Sequence, residues 1–295
     1  VSTAPPIYSS TQAAWDEQVK KFFKYSVVAI VTIVILSFAA VALMLEPEYK
    51  TQGNNVANCP STIFTKSAVI FDALLICATQ EVPDAKLQHA ANVAAEWLDN
   101  DGDGGIDEPR VIGAMQDSKA LVIMSFDGFS TLAGLKLLPA VIAGGYAVQD
   151  LYAQETNTPG RRDASQEEVH HIIYNAGWEV AFPSVFSDQE EVSSKLYRIW
   201  KYSDDNGHYY YGDPTCDDSC KTGEFFYLAT AAYLGSKADL FSDEMRLQDK
   251  EAMQAVIPEI MEIIESTDYV YPTHHWPSGQ YRHQSNIGYL GLKRN

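Results

Sequence analysis

From Ser26 to Leu45 the chain is uncharged and almost wholly apolar, with Thr32 and Ser37 the only polar positions after Ser26. Beyond this run the pattern changes to short amphipathic repeats. The run predicts a long N-terminal hydrophobic helix over 26–45, which at 1.5 Å per residue would span about 30 Å, the thickness of a bilayer core. Val27, Ile30, Val31, Val34, Ile35, Phe38, Val41 and Leu45 would lie all round it. Such a helix is expected to be buried, either in a membrane or by self-association along the axis of a filament. Lys20, Lys21 and Lys24 before the run, and Glu46 and Glu48 after it, would leave residues 1–24 cytoplasmic if the helix is a membrane anchor. The expected organisation is a polar segment over 1–25, the helix, a Gly/Asn-rich linker over 46–60 and an outer domain over 61–295.

Within the outer domain Leu87, Ala90, Ala91, Ala94, Ala95 and Leu98 recur at helical spacing over 84–98. Val169, Ile172, Ile173 and Ala176 do the same over 163–178. There Ser165 with Glu168 reads as a capping box, and Gly177 is placed to end the helix. Further helices are expected over 195–202, over 223–234 with a stop at Gly235, and over 243–265 with Ser242 as cap and a kink at Pro258. Ala120 to Phe126 and Ala147 to Ala153 read as strands, and Gly144-Gly145 marks a tight bend. The expected fold class is α+β: the long apolar helix, then a mainly helical globular domain with a small sheet.

Composition narrows the classes. An apolar fraction of 46% over 295 residues supports a substantial core. A formal charge of −18 argues against nucleic-acid partners, which require a basic surface, and suits a surface that holds cations. Cys59, Cys77, Cys216 and Cys220 all follow the apolar run. An even count in an extracellular or cell-surface domain predicts two disulfides, with Cys59–Cys77 and Cys216–Cys220 the local choice among three pairings. A metal site on Cys216, Cys220 and His208 is the rival. His274, His275 and His283 in the aromatic tail suit packing better than ligation, and the Ser/Thr/Pro-rich start offers positions for O-linked glycans.

Two motifs carry candidate chemistry. Asp99, Asp101 and Asp103 occupy the first, third and fifth positions of a stretch that resembles an EF-hand calcium loop, with Gly104 sixth and Ile106 eighth. The resemblance implies calcium held by Asp99, Asp101, Asp103, the Gly105 carbonyl and Asp107 across 99–108. It departs at the twelfth position, where Arg110 stands in place of a bidentate Glu, with Glu108 the nearest substitute.

Glu167-Glu168-x-x-His171 resembles the zincin metallopeptidase helix His-Glu-x-x-His with its first His replaced by Glu. Carried over by position, Glu167 and His171 would hold zinc or another divalent metal, and Glu168 would be the catalytic base if the protein is an enzyme. Glu224, on a later helix, matches the third ligand of the Glu-type zincins. A helix N-terminus favours Glu167, Glu168 and Glu224 without any metal. The order of calcium loop, EExxH helix, CxxxC loop and Glu helix also resembles an extracellular family of uncharacterised sequences.

The altered motif and the apolar run favour an extracellular structural protein, filament-forming or a surface-assembly subunit, with a zincin-like metal-stabilised outer domain. The alternatives are a membrane-anchored zinc hydrolase and a calcium-dependent adhesion module.

Overall fold

β1 (Phe64–Ile70) and β2 (Leu74–Thr79) pair as an antiparallel hairpin with Ile70 opposite Leu74. The structure that contains them is a computed structural model describing residues 59–292. At the hairpin turn Ala73 N donates to Ile70 O at 3.0 Å, and both central residues, Phe71 and Asp72, have positive φ. That backbone matches the right-handed twist of the two strands.

β3 (Leu121–Ser125) and β4 (Val148–Tyr152) add in parallel to β2, and β5 (Ile287–Leu290) adds antiparallel to β1. The sheet order is β4-β3-β2-β1-β5. Parallel neighbours need crossovers. α1 (Asp84–Leu98) and α2 (Pro109–Asp117) lie between β2 and β3, and α3 (Thr131–Gly144) lies between β3 and β4. α3 ends at Gly145, whose φ of 65° fits the left-handed C-cap that glycine takes without strain.

Side-chain alternation divides the sheet between two layers. Leu74, Ile76, Ala78, Val122 and Met124 face the main core, whereas Cys77 and Leu121 pack with Phe64 against Leu137 and Val141 of α3. The outer side of α3 carries Leu132, Leu135, Leu138 and Ile142, each more than half exposed.

After β4 the chain enters α4 (Ala164–Ile173), which runs into a π-helical turn at Tyr174–Trp178 and then α5 (Glu179–Ala181) and α6 (Pro183–Phe186). α7 (Lys195–Asp205), α8 (Asp218–Leu234), α9 (Lys250–Val256) and α10 (Glu259–Ile264) complete the helical layer. α8 is buried continuously from Thr222 to Ala232, so it shows little amphipathic pattern and forms the middle of the core. Trp178, Phe186, Phe226 and Tyr271 pack ring against ring around it, with centroids 5.1–6.3 Å apart.

Several sequence expectations need correction. The fold is α+β, but its sheet is five-stranded and mixed, and β1, β2, β5, α2, α3 and the short α5 and α6 are additions to the expected elements. The long apolar helix expected over 26–45 falls outside the described residues, and among those residues no helix is long and apolar enough to cross a membrane. The chain divides between Thr51 and Gln52 into two units, and the described residues belong to the second. Gly177 does not terminate its helix but sits inside the π-turn. The single helix expected over 243–265 is two short ones separated at Pro258, with Asp249 rather than Ser242 as the cap.

Both disulfides form, Cys59–Cys77 and Cys216–Cys220, and no described cysteine is free. Bridges of this kind persist in oxidising compartments outside the cytosol.

Candidate metal centres

The N-cap of α4 is Asp163, not Ser165: its Oδ1 accepts from Ser165 N at 3.1 Å and Ser165 Oγ at 2.7 Å. Its other oxygen binds His89 Nε2 of α1 at 2.6 Å. Burial opposes ionisation of Asp163, yet His89, Ser165 and the Asn157 N–H hold its pKa below the ordinary carboxylate value. This anchoring sets the rotation of α4, which turns Glu167 and His171 inward toward α8.

α8 begins at Asp218, capped by Asp217, so Glu224 stands in its second turn rather than its first. That position weakens the helix-terminus explanation for this carboxylate, because the dipole acts mainly within the first turn. Glu167, His171 and Glu224, all buried, each offer a ligand atom, and these atoms lie within 4.8 Å of one another. His171 Nε2 and Glu224 Oε2 are 3.6 Å apart, and both are buried without a hydrogen-bond partner. Two ligands of a tetrahedral zinc with bonds of about 2.0–2.1 Å are separated by roughly 3.3–3.4 Å, so His171 and Glu224 lie close to the spacing of a shared ion.

Glu168 lies on the other side of the imidazole. Its Oε2 is 3.7 Å from His171 Nδ1 and accepts from Gln149 Nε2 of β4 at 2.5 Å. An outer carboxylate that fixes the tautomer of a metal-bound histidine would approach from this side, within hydrogen-bond distance of the ring N–H. Glu167 is likewise supported: Arg162 Nη2 binds its Oε2, and Arg162 Nη1 is 3.8 Å from Asp239 Oδ1. Asp239 in turn accepts from Tyr227 OH at 2.6 Å and Ser236 Oγ at 2.5 Å.

The electrostatics record a surplus of negative charge. Burial disfavours charge on His171, but Glu168, 3.7 Å from Nδ1, and the carboxylates of Glu224 and Glu167 push its pKa up to about 9. Burial raises Glu224 to about 7; His171 opposes this, while Glu167 and Glu168 reinforce it. A bound divalent cation would do what the His171 proton does in the metal-free protein.

His170, one residue earlier, faces the aromatic core. Its Nε2 is 3.0 Å from Tyr271 OH, and burial, with His171 adding to it, keeps its pKa well below the ordinary histidine value.

The second cluster lies between α1 and α2. Asp99, Asp101 and Asp107 each bring an oxygen within 4.8 Å of the others. Asp99 is fully buried; its Oδ2 accepts from Gly104 N at 2.9 Å and Tyr281 OH at 2.6 Å, while Oδ1 has no partner. Burial raises Asp107 to about 6, the Asn100 N–H opposing and Asp101 and Asp99 adding to the rise.

Asp103 is outside this group, and its Oδ1 accepts from Gly105 N at 2.7 Å. Glu108 does not replace the missing twelfth ligand. It caps α2 and accepts from Arg110 Nε at 2.7 Å, Arg110 Nη2 at 2.8 Å and Val270 N at 3.2 Å.

The disulfide removes the thiolates that the alternative site on Cys216, Cys220 and His208 requires. His283 packs beneath the acidic loop, with Nε2 3.0 Å from Gly102 O, while the backbone N–H groups of His274 and His275 donate to Asn100 Oδ1. Arg162, Gln149 and Asp239 are parts of the first centre that the sequence pattern missed. Only the Arg161-Arg162 pair beside the helix cap offered a local signal.

No protein-family profile matches the chain, and neither a curated protein nor a solved structure is significantly similar to it.

Proposed function

We propose that this chain is a structural protein of the extracellular or cell-surface side, whose outer domain is held together by divalent metal. Zinc, or a similar ion, bridges α4 and α8 through Glu167, His171 and Glu224. The observation that carries this reading is the buried, unpartnered pair His171 Nε2 and Glu224 Oε2, 3.6 Å apart on two different helices. The pair is too far apart for a hydrogen bond, so each atom keeps an unmet bonding need that a cation shared between them would satisfy.

A structural rather than hydrolytic role is favoured by Glu168. It stands on the Nδ1 side of His171 and accepts a hydrogen bond from Gln149, a placement that suits orienting a ligand better than activating a water on the Nε2 side. The zincin-like reading of the fold, and assembly into a filament or surface array, belong to the same proposal. Metal analysis of the native protein, together with its melting temperature before and after chelation, tests it. One tightly held zinc whose removal lowers the melting temperature is expected. A metal-free native protein indifferent to chelator would refute it. Peptide hydrolysis abolished by Glu168→Gln with metal content retained would instead establish the zinc hydrolase.

Calcium at Asp99, Asp101 and Asp107 is the second part of the proposal. It rests on the unpartnered Oδ1 of the fully buried Asp99. A cation there would relieve the repulsion among the three carboxylates and brace the loop between α1 and α2.

A further inference from the structure

The acidic loop supplies too few oxygens to complete a calcium shell by itself. Calcium takes 6–8 oxygen ligands. Asp99, Asp101 and Asp107 each already give an oxygen to an N–H of the loop, to Gly104, Asp103 and Asn100 respectively, which favours one-oxygen binding from each. The residue that would close the shell is absent, because Arg110 occupies its place and Glu108 is drawn into pairing with Arg110 and Val270.

On the open side lies a cavity of about 370 Å³ whose wall includes Asp99, Asp101 and Gly102. The same cavity is lined by His275, Gln280 and Arg282. Arg282 is exposed and forms no ion pair with any described residue. The remaining acid in the wall, Glu96, is spent on the backbone N–H groups of Ser278, Gly279 and Gln280, at 2.6–3.2 Å. Its charge is therefore compensated locally. The cavity combines an acidic edge that wants a cation with a guanidinium that favours an anion and an imidazole able to hydrogen-bond to one.

We infer that this cavity binds a small carboxylate-bearing molecule, whose carboxylate completes the calcium shell on one side and meets Arg282 and His275 on the other. The inference rests on the calcium reading of the loop. A volume near 370 Å³ falls at the lower end of small-molecule sites and suits a ligand of monosaccharide or amino-acid size. A planar carboxylate can bridge a hard cation and an arginine, because each uses the geometry of its two oxygens.

The test is calorimetry on the full chain with calcium present, titrating glucuronate and N-acetylaspartate as probes and glucose as the neutral control. At least one carboxylate is expected to bind at millimolar concentration or better, and which one tells whether the ligand is sugar-derived or amino-acid-derived. Binding should weaken at least tenfold in EGTA and in Arg282→Gln, while Arg282→Gln still takes up calcium normally, which also shows that the variant is folded. Calcium uptake with neither carboxylate bound would overturn the inference and leave the calcium reading standing. Carboxylate binding equal in EGTA would overturn it as well. Failure to take up calcium at all would overturn both.

Discussion

At the scale of single residues, His171 decides the behaviour of the first centre. In the metal-free protein its folded pKa of about 9 lies above the unfolded value near 6.5. Protonated His171 therefore stabilises the fold fully below about pH 6.5, and that contribution disappears as pH rises through 9. A metal ligand must be deprotonated, so zinc affinity should move the opposite way, rising about tenfold per pH unit toward pH 9 and levelling above it. Titrating zinc at several pH values checks this, and an affinity flat from pH 7 to 9 would contradict it. Glu168→Ala should weaken zinc roughly 10–100-fold, as loss of an outer partner does, whereas His171→Ala should cost more. The sequence made Glu167, His171 and Glu224 legible because helical spacing and a resemblance to a known motif place them. It could not show that Glu168 lies on the Nδ1 side of the imidazole, since that depends on Gln149 arriving from a separate strand.

At the scale of elements, the legible pieces were those with long periodic faces. α1 appears over the span its apolar face predicted, 84–98. The β1–β2 hairpin was invisible because its turn places Phe71 and Asp72 at positive φ, where a readable hairpin would carry Asn-Gly. α8 was placed five residues late because its first turn, Asp218 to Thr222, is polar and its cap Asp217 lies in the acidic CxxxC loop. Gly177 read as a helix stop, yet its function is clearance. A Cβ there would lie 2.7 Å from Val111 Cγ1 and 3.1 Å from Met115 Cγ of α2. Gly177→Ala should therefore destabilise the protein by about 1–3 kcal/mol in denaturant unfolding, and a neutral effect would show that α2 does not pack there. Asp163→Ala removes the α4 cap and the His89 partner together; a loss of about 1–2 kcal/mol is expected from the cap alone. Denatured but unreduced protein should show no thiol labelling at Cys59, Cys77, Cys216 or Cys220, and labelling at any of them would contradict the two bridges.

At the scale of the molecule, a net charge of −18 has a direct consequence. Each acidic cluster opposes folding unless a cation or proton occupies it. In the calcium-free protein Asp107, raised to about 6, should make the fold less stable as pH rises from about 4 through 6. Calcium should cancel that loss, which melting curves with and without the ion would reveal. The tail ties the two clusters into one structure. Tyr281 donates to Asp99 of the loop, and Gln166 Nε2 of α4 donates to Pro277 O at 2.6 Å. The central claim, that Glu167, His171 and Glu224 form one metal centre, is tested most directly by zinc calorimetry on chelator-stripped protein in saturating calcium. Wild type should bind one equivalent tightly, and Glu224→Ala should lose that equivalent while keeping any weak surface binding. If wild type and Glu224→Ala take up zinc with the same stoichiometry and affinity, the centre does not exist as described.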